Sequence, residues 1–313
     1  MEMEKDARIY LAGHGGMVGS AIHRRLLADG YSNIVTRTSG EMDLRDPHPV
    51  GVFLSAEKPD YVFLAAARVG GILANMASPG GFLYDNLMIQ SNVIHHSFLA
   101  GVKKICFLGS SCIYPRECPQ PMREEYLMSG KLEPTNEGYA LAKIAGIKMI
   151  EGYHRQYGLN GICPNPCNLY GTNDSFDPGH AHVLSSLVAK FVDAVDEGRD
   201  EVTVWGTGSA RREFLHVDDL AEAVLFLMRK WERPEIVNVG SGFDVSIREL
   251  AGMIARIAGF GGRLSWDASK PDGMPRKCLD VSKITELGFR PKIGLEEGIA
   301  RTVLEYRELK KGT

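Results

Sequence analysis

The 313-residue sequence lacks any apolar run long enough to cross a membrane, which takes about 20 consecutive apolar residues in a helix. It also lacks clusters of lysine and arginine, and its formal net charge of -3 provides no basic surface for nucleic acid or anionic lipid. We therefore expect no nucleic-acid and no membrane partner, and a small molecule as ligand. The first residues, 1–6 (MEMEKD), are acidic, unlike a secretory leader, so we expect a cytoplasmic protein.

The six cysteines also lack the spacing of a metal or redox site. Cys163 and Cys167 are separated by three residues, which suits neither a zinc knuckle nor a Cys-x-x-Cys pair. No histidine pair is spaced to complete a metal site, and no export signal precedes the cysteines. We expect reduced thiols and no metal.

Short β-branched and apolar segments alternate with longer amphipathic stretches in the first half of the chain. Five of these segments are predicted strands: 8–12, 33–36, 60–66, 104–108 and 161–164. The third is apolar almost throughout, as in strands that helices cover on both faces. This order predicts an α/β fold with a Rossmann-type, doubly wound parallel sheet, and the carboxyl ends of its strands should hold the ligand.

The second half of the chain begins with a loop-rich segment, 171–181. Predicted helices and strands follow: a helix at 183–197, a strand at 202–205, a strand at 236–239 that returns to the main sheet, and helices near 246–259 and 295–309. This order predicts a smaller α/β domain interleaved with the first. We predict a Rossmann domain formed by 1–170 and about 214–240, and a substrate domain formed by about 171–213 and 241–313.

A glycine-rich stretch, 12–27 (AGHGGMVGSAIHRRLL), follows the first predicted strand. Gly13, Gly16 and Gly19 allow a tight turn, approach of a pyrophosphate to the backbone, and close packing of the next helix. The amino end of that helix attracts phosphate charge. In this strand, turn and helix context the motif predicts a dinucleotide site, with an ordinary glycine-rich turn as the alternative.

The second predicted strand ends in Arg37-Thr38-Ser39, without the acidic residue that binds the adenosine ribose in NAD-preferring sites. An arginine at this place favours the additional 2'-phosphate, so we expect NADP(H) as the cofactor. The alternative is that Arg37 is a solvated surface charge.

A serine, a tyrosine and a lysine form a candidate catalytic set. Tyr139 and Lys143 are four residues apart, one helical turn, so both side chains emerge on the same face. A nearby cation stabilises a phenolate, which makes a tyrosine useful in proton transfer. Ser110 ends the preceding sheet strand and would complete the set at the strand carboxyl ends.

The chain resembles the extended short-chain dehydrogenase/reductases, and among them the epimerase/reductases of GDP-linked 4-keto sugars. Eight motifs carry the resemblance and occur in the family's order: AGHGGMVGSAI, LAAARVGGI, FLGSSCIYP, LEPTNEGYALAKIAGIK, NLYG, REFLHVDD, NVGSG and DGMPRK. The resemblance implies that GDP-4-keto-6-deoxy-D-mannose is inverted at C3 and C5 and then reduced at C4 with NADPH, giving GDP-L-fucose. A related epimerase/reductase or reductase, acting on a GDP-linked dideoxy sugar or heptose, is the alternative.

The resemblance also assigns an acid/base pair. It implies that Cys112 and His182 exchange the protons at C3 and C5, chemistry for which a thiol and an imidazole suit neutral pH. His180 is a nearby competitor. Read alone, Cys112 would be a small buried hydrophobe and His182 an exposed loop residue. A non-enzymatic regulator would have lost one of Ser110, Tyr139 or Lys143, and all three are present.

Further contacts are implied by the resemblance. The cofactor would contact Gly13, Gly16, Met17, Val18, Gly19, Arg37, Leu108, Lys143, Asn168, Leu169 and His182. The GDP-sugar would contact Ser111, Lys190, Trp205, Arg212 and Lys277. Alternatives are a solvated Lys190, a core Trp205 and a surface ion pair at Arg212. The family commonly has arginines at three positions where this chain has Gly15, Ser39 and Lys190.

The resemblance also implies a homodimer, formed through the helices near 80–100 and 138–157.

Overall fold

The structure, a computed structural model, describes residues 3–177, 181–270 and 272–312. Its strands are β1 (Ile9–Ala12), β2 (Ile34–Val35), β3 (Tyr61–Leu64), β4 (Lys104–Phe107), β5 (Gly161–Pro166), β6 (Asn168–Tyr170), β7 (Glu201–Trp205), β8 (Arg211–His216), β9 (Ile236–Val239), β10 (Asp244–Ser246), β11 (Arg263–Asp267) and β12 (Arg276–Lys277). Its α-helices are α1 (Met17–Ala28), α2 (Pro47–Glu57), α3 (Ile72–Ala77), α4 (Pro79–Leu99), α5 (Glu137–Tyr157), α6 (Val183–Asp196), α7 (Val217–Lys230), α8 (Ile247–Ala258), α9 (Ser282–Glu286) and α10 (Leu295–Lys311).

Six parallel strands form the main sheet in the order β2-β1-β3-β4-β5-β9. Every residue of β1, β3, β4, β5 and β9 is buried, as expected for strands with helices on both faces. Two groups of helices provide that cover: α1 packs on α7, and α4 packs on α2 and α5. The predicted fold class and the return of 236–239 to the sheet are confirmed.

The second half of the chain builds two smaller sheets. In one, β8 lies between β10 and β12 and also pairs with β6. In the other, β7 and β11 pair in parallel. A separate apolar core forms where α6, α8 and α10 pack together, and it includes Phe191, Ile254 and Ile299. The residue boundaries given above for two domains remain a prediction; β8 spans one of them, at 213/214.

Among the described residues, no helix combines the length and the apolar composition needed to span a membrane. All six cysteines are free thiols.

Candidate active site

A cleft of about 740 Å³ opens at the carboxyl ends of the central strands and extends toward β8 and β12. The segments that follow β3, β4 and β5 form its floor. Most of the residues expected to act are brought together in its lining: Gly13, Gly16, Met17, Val18, Gly19, Arg37, Leu108, Ser110, Ser111, Cys112, Tyr139, Lys143, Asn168, Leu169, His182, Arg212 and Lys277. Lys190 and Trp205 are not part of that lining.

The glycine-rich turn between β1 and α1 is tight for a steric reason. Gly13 has a φ of 86°, a left-handed conformation that favours glycine, and a Cβ there would lie 2.6 Å from the backbone nitrogen of Ala66. A Cβ on Gly19 would overlap the carbonyl oxygen of Gly13. Gly16 precedes α1 and no side chain caps this helix end, so the helix presents its amino terminus to the cleft, which suits a diphosphate.

Arg37 is anchored rather than solvated. Its guanidinium carbon lies 4.9 Å from the centre of the Phe53 ring, and its Nη2 lies 3.3 Å from Oε1 of Glu57. Nη1 donates to the carbonyl of Thr36. Because Arg37 lines the cleft with Ser39, one fixed cation is available there for an additional phosphate.

Ser110 and Cys112 meet in the short turn after β4. The Ser110 side chain caps the 3-10 helix Ser111–Ile113 by accepting from the Cys112 backbone N–H at 3.5 Å. The Cys112 sulfur lies 3.2 Å from the Ser110 hydroxyl oxygen. Cys112 is 6% exposed, so it is a buried residue that nevertheless borders the cleft.

Tyr139 and Lys143 lie one turn apart near the start of α5. Burial lowers the pKa of Lys143 to about 8, although the nearby Cys112 raises it in part. Its Nζ donates to the carbonyl of Leu108 at 2.8 Å and lies 5.7 Å from the Tyr139 ring centre. Burial also raises the pKa of Tyr139, Cys112 adds to this rise, and a hydrogen bond from Ser110 opposes it. The raised pKa favours the neutral phenol, the form that can donate a proton.

His182 lines the cleft immediately before α6. Its imidazole is 44% exposed, and Nδ1 lies 3.8 Å from Oδ1 of Asp174, whose side chain is buried. The competing His180 lies outside the described residues. An imidazole with a buried carboxylate beside it and an open face toward the cleft suits proton exchange with a ligand.

Arg212 and Lys277 stand side by side on neighbouring strands, since β8 and β12 pair them directly. Arg212 donates to the carbonyls of Met274 and Asp272, at 2.6 and 3.1 Å, so a surface ion pair is not its role. Burial lowers the pKa of Lys277; Cys112 raises it and the Arg212 charge lowers it further. The two cations form a positive end of the cleft near Cys112.

Lys190 and Trp205 form a pair of their own outside the cleft lining. The Lys190 Nζ lies 5.6 Å from the Trp205 ring centre and donates to the carbonyl of Thr203 at 3.3 Å. Burial lowers the pKa of Lys190, so this lysine is not a fully solvated charge. Trp205 is 52% exposed, which excludes the core-packing alternative.

Several cleft residues were missed by the sequence reasoning. Arg68 and Arg45 both line the cleft and share the carboxylate of Asp85, at 2.9 and 3.3 Å. Glu133, also in the lining, accepts from Thr135 in the turn before α5. The signal for two of them was present, because Arg68 and Glu133 stand in the motifs LAAARVGGI and LEPTNEGYALAKIAGIK. Within the described part of the chain, no cluster of three or more His, Cys, Asp or Glu side chains could hold a metal ion.

Comparison with known proteins identifies the family. The model of the NAD dependent epimerase/dehydratase family matches residues 9–240. GDP-L-fucose synthase 1 of Arabidopsis thaliana is 53% identical over 96% of this chain and 93% of its own length. GDP-L-fucose synthase of Escherichia coli (strain K12) is 49% identical over 96% and 97%. A Campylobacter jejuni GDP-mannoheptose C4 reductase with NADP bound superposes with a TM-score of 0.89 at 40% identity, covering 98% and 99%.

The chain belongs to the NAD dependent epimerase/dehydratase family, the extended short-chain dehydrogenase/reductases, and within it to the GDP-L-fucose synthase branch.

Proposed function

We propose that this protein converts GDP-4-keto-6-deoxy-D-mannose to GDP-L-fucose by inversion at C3 and C5, followed by NADPH-dependent reduction at C4. One observation carries the proposal: the Cys112 thiol lies against Ser110, in a cleft that also contains Tyr139, Lys143 and His182. Reduction alone needs no thiol beside the serine. Close identity to GDP-L-fucose synthases over nearly the full length supports the same reaction.

The Ser110 hydroxyl and the Tyr139 phenol both donate to the 4-keto oxygen in this mechanism. Two donors at this oxygen stabilise the enolate that forms when a proton leaves C3 or C5. A base removes the proton from one face and an acid returns one to the opposite face, so each inversion needs two groups. Cys112 and His182 lie on different elements around the cleft, and we assign them this exchange.

NADPH supplies the hydride to C4 when it is bound. Tyr139 then gives its proton to the C4 oxygen, which becomes a hydroxyl. Lys143 is held by the Leu108 carbonyl at the base of the site, where its charge stabilises the tyrosinate that remains. The open amino end of α1 would hold the cofactor diphosphate, Arg37 the 2'-phosphate, and Asn168 and Leu169 the nicotinamide side.

The GDP part would lie toward the smaller sheets. Arg212 and Lys277 are placed to meet the diphosphate, while Trp205 offers an exposed ring to an apolar or planar surface, with Lys190 beside it. Ser111, buried next to Cys112, would border the sugar. We also infer a homodimer through α4 and α5, because Tyr84, Leu141 and Tyr157 on these helices are exposed large apolar side chains.

The rival function is C4 reduction without inversion; the Campylobacter relative is named a C4 reductase. Product identification separates the two. The protein is incubated with GDP-4-keto-6-deoxy-D-mannose and NADPH, and NMR coupling constants give the configuration at C3, C4 and C5. We expect GDP-L-fucose, with one NADPH oxidised for each sugar. A product with unchanged configuration at C3 and C5 would overturn the epimerase half of the proposal.

A further inference from the structure

We propose that Asp244 is a positioning residue, which orients Arg212 and Lys277 toward the ligand without contacting it. The inference rests on the proposed function, because that function assigns these two cations to the GDP diphosphate. Asp244 is the first residue of β10, and its side chain is 4% exposed. A carboxylate that is almost withdrawn from water has to be paired.

Two arginines on different strands satisfy Asp244. Its Oδ1 accepts from Nε of Arg211 on β8, and its Oδ2 accepts from Nε of Arg276 on β12, both at 2.5 Å. Arg211 also donates through Nη2 to the Asp244 carbonyl at 2.9 Å. Burial raises the pKa of Asp244, but the two guanidinium groups outweigh it and hold this pKa below its usual value. One ionised carboxylate thereby joins three strands.

The strand register connects this contact to the cleft. Arg211 pairs with Arg276, and Arg212 pairs with Lys277. Successive side chains of a strand point to opposite faces. Because Arg211 and Arg276 turn toward Asp244, their neighbours Arg212 and Lys277 turn toward the cleft, whose lining includes both. A slip of β12 by one residue would turn Arg276 toward the cleft and Lys277 toward Asp244.

Strand β12 is only two residues long, so a side-chain contact such as that of Arg276 with Asp244 helps to place it. In the described sheet it pairs with β8 alone. Beyond its end the chain is tethered independently, since the backbone N–H of Leu279 donates to Oε2 of the buried Glu213 at 2.7 Å. Loss of the Asp244 contact should therefore displace Lys277 rather than unfold the sheet.

The test is Asp244→Asn, which keeps the shape and removes the charge. Displacement of the cations should raise the Kd for GDP, measured by calorimetry, about tenfold. The KM for the GDP-sugar should rise by a similar factor, while kcat and the Kd for NADPH stay close to wild type. Asp244→Glu keeps the negative charge, so this variant should bind GDP more tightly than Asp244→Asn does, though less tightly than the wild type. Glu201→Gln, which removes an exposed ion pair with Arg263 in the same part of the molecule, should change none of these values.

Unchanged GDP affinity in folded Asp244→Asn overturns the proposal, as does an equal loss of GDP and NADPH affinity, which indicates general damage. If Asp244→Asn does not fold, Arg276→Gln breaks the same contact from a side chain that is 46% exposed, and the same readouts decide. GDP binding needs no turnover, so it separates this proposal from the reaction. Wild-type protein that binds GDP but makes no GDP-L-fucose contradicts the proposed function only; wild-type protein that binds no GDP contradicts both.

Discussion

The sulfur of Cys112 lies 3.2 Å from the hydroxyl oxygen of Ser110, on the short turn that follows β4. A carbonyl oxygen held by that hydroxyl has its α-carbons two bonds away, so the thiol stands beside the atoms whose protons are acidic. In the proposed mechanism, the same turn therefore serves both carbonyl binding and proton exchange. The proposed proton exchange by this thiol is the step that a simple reductase does not need.

The pH profile should report Lys143. Burial lowers its pKa to about 8, and the proposed mechanism needs the ammonium form. Since kcat/KM follows the ionisation of the free protein, the value for NADPH oxidation should fall about tenfold per unit as pH rises above about 8. Arginine stays charged in this range, so the remaining kcat/KM of the Lys143→Arg variant should not fall above pH 8. A wild-type profile that stays level to pH 9.5 would argue against the role of Lys143.

Removing the Lys143 charge should stabilise the fold while abolishing activity. A pKa lowered from 10.5 to about 8 corresponds to about 3 kcal/mol of destabilisation. That cost is complete below pH 8 and disappears as pH rises toward 10.5, because the unfolded chain binds the extra proton between these values. Lys143→Met should therefore raise Tm at pH 7, although loss of the hydrogen bond to the Leu108 carbonyl offsets part of this increase. The increase in Tm should become smaller toward pH 10.

The matched control for that stability measurement is Lys148→Met on the same helix. Lys148 is exposed and pairs with Glu151, so its removal should leave Tm nearly unchanged at both pH values. A lower Tm for Lys143→Met at pH 7 would mean that the bond to Leu108 outweighs the desolvation of the ammonium group.

Arg37 should decide the preference between NADPH and NADH. With one fixed guanidinium facing the expected 2'-phosphate, Arg37→Ala should weaken NADPH binding by about 10- to 100-fold and leave NADH binding nearly unchanged. Fluorescence titration of both cofactors measures this. Arg24→Ala, which breaks an exposed pair with Asp218, is the control. Equal losses for the two cofactors would place the phosphate elsewhere.

Two glycines of the glycine-rich stretch, Gly15 in the turn and Gly19 in α1, should respond differently to substitution. A Cβ at Gly19 meets the backbone of Gly13 and His14, so Gly19→Ala should lower the free energy of unfolding by about 1–3 kcal/mol and weaken NADPH binding. At Gly15 nothing lies within 4 Å of a Cβ, and Gly15→Ala should be neutral or slightly stabilising. Denaturant titration and NADPH titration check both variants. Similar losses at the two positions would contradict the close approach of α1 to the turn.

Local patterns were enough to predict the main sheet, because buried parallel strands are continuous apolar runs and the helices between them are amphipathic. The predicted ends of the strands were less accurate. Strand β3 ends at Leu64 rather than at residue 66, since the following alanines leave the sheet to line the cleft. Ser110, Tyr139 and Lys143 were found because strand ends and helical spacing bring such residues together.

Contacts between distant segments could not be read from the sequence. Glu57 anchors Arg37 across 20 residues, and Asp244 reaches Arg276 across 32. Both depend on which strands and helices become neighbours, information that no local pattern contains. The placement of Lys190 and Trp205 outside the cleft lining is of the same kind, since it follows from how α6 packs on β7.

The most direct test of the central claim is turnover in deuterated water. The protein, GDP-4-keto-6-deoxy-D-mannose and NADPH are combined, and NMR locates deuterium in the product. We expect label at C3 and C5 with the wild type, and Cys112→Ser or His182→Asn should suppress labelling and inversion while sparing some NADPH oxidation. NADPH oxidation by the wild type with no deuterium at either carbon would contradict the claim, and would leave Cys112 as a packing residue in a reductase.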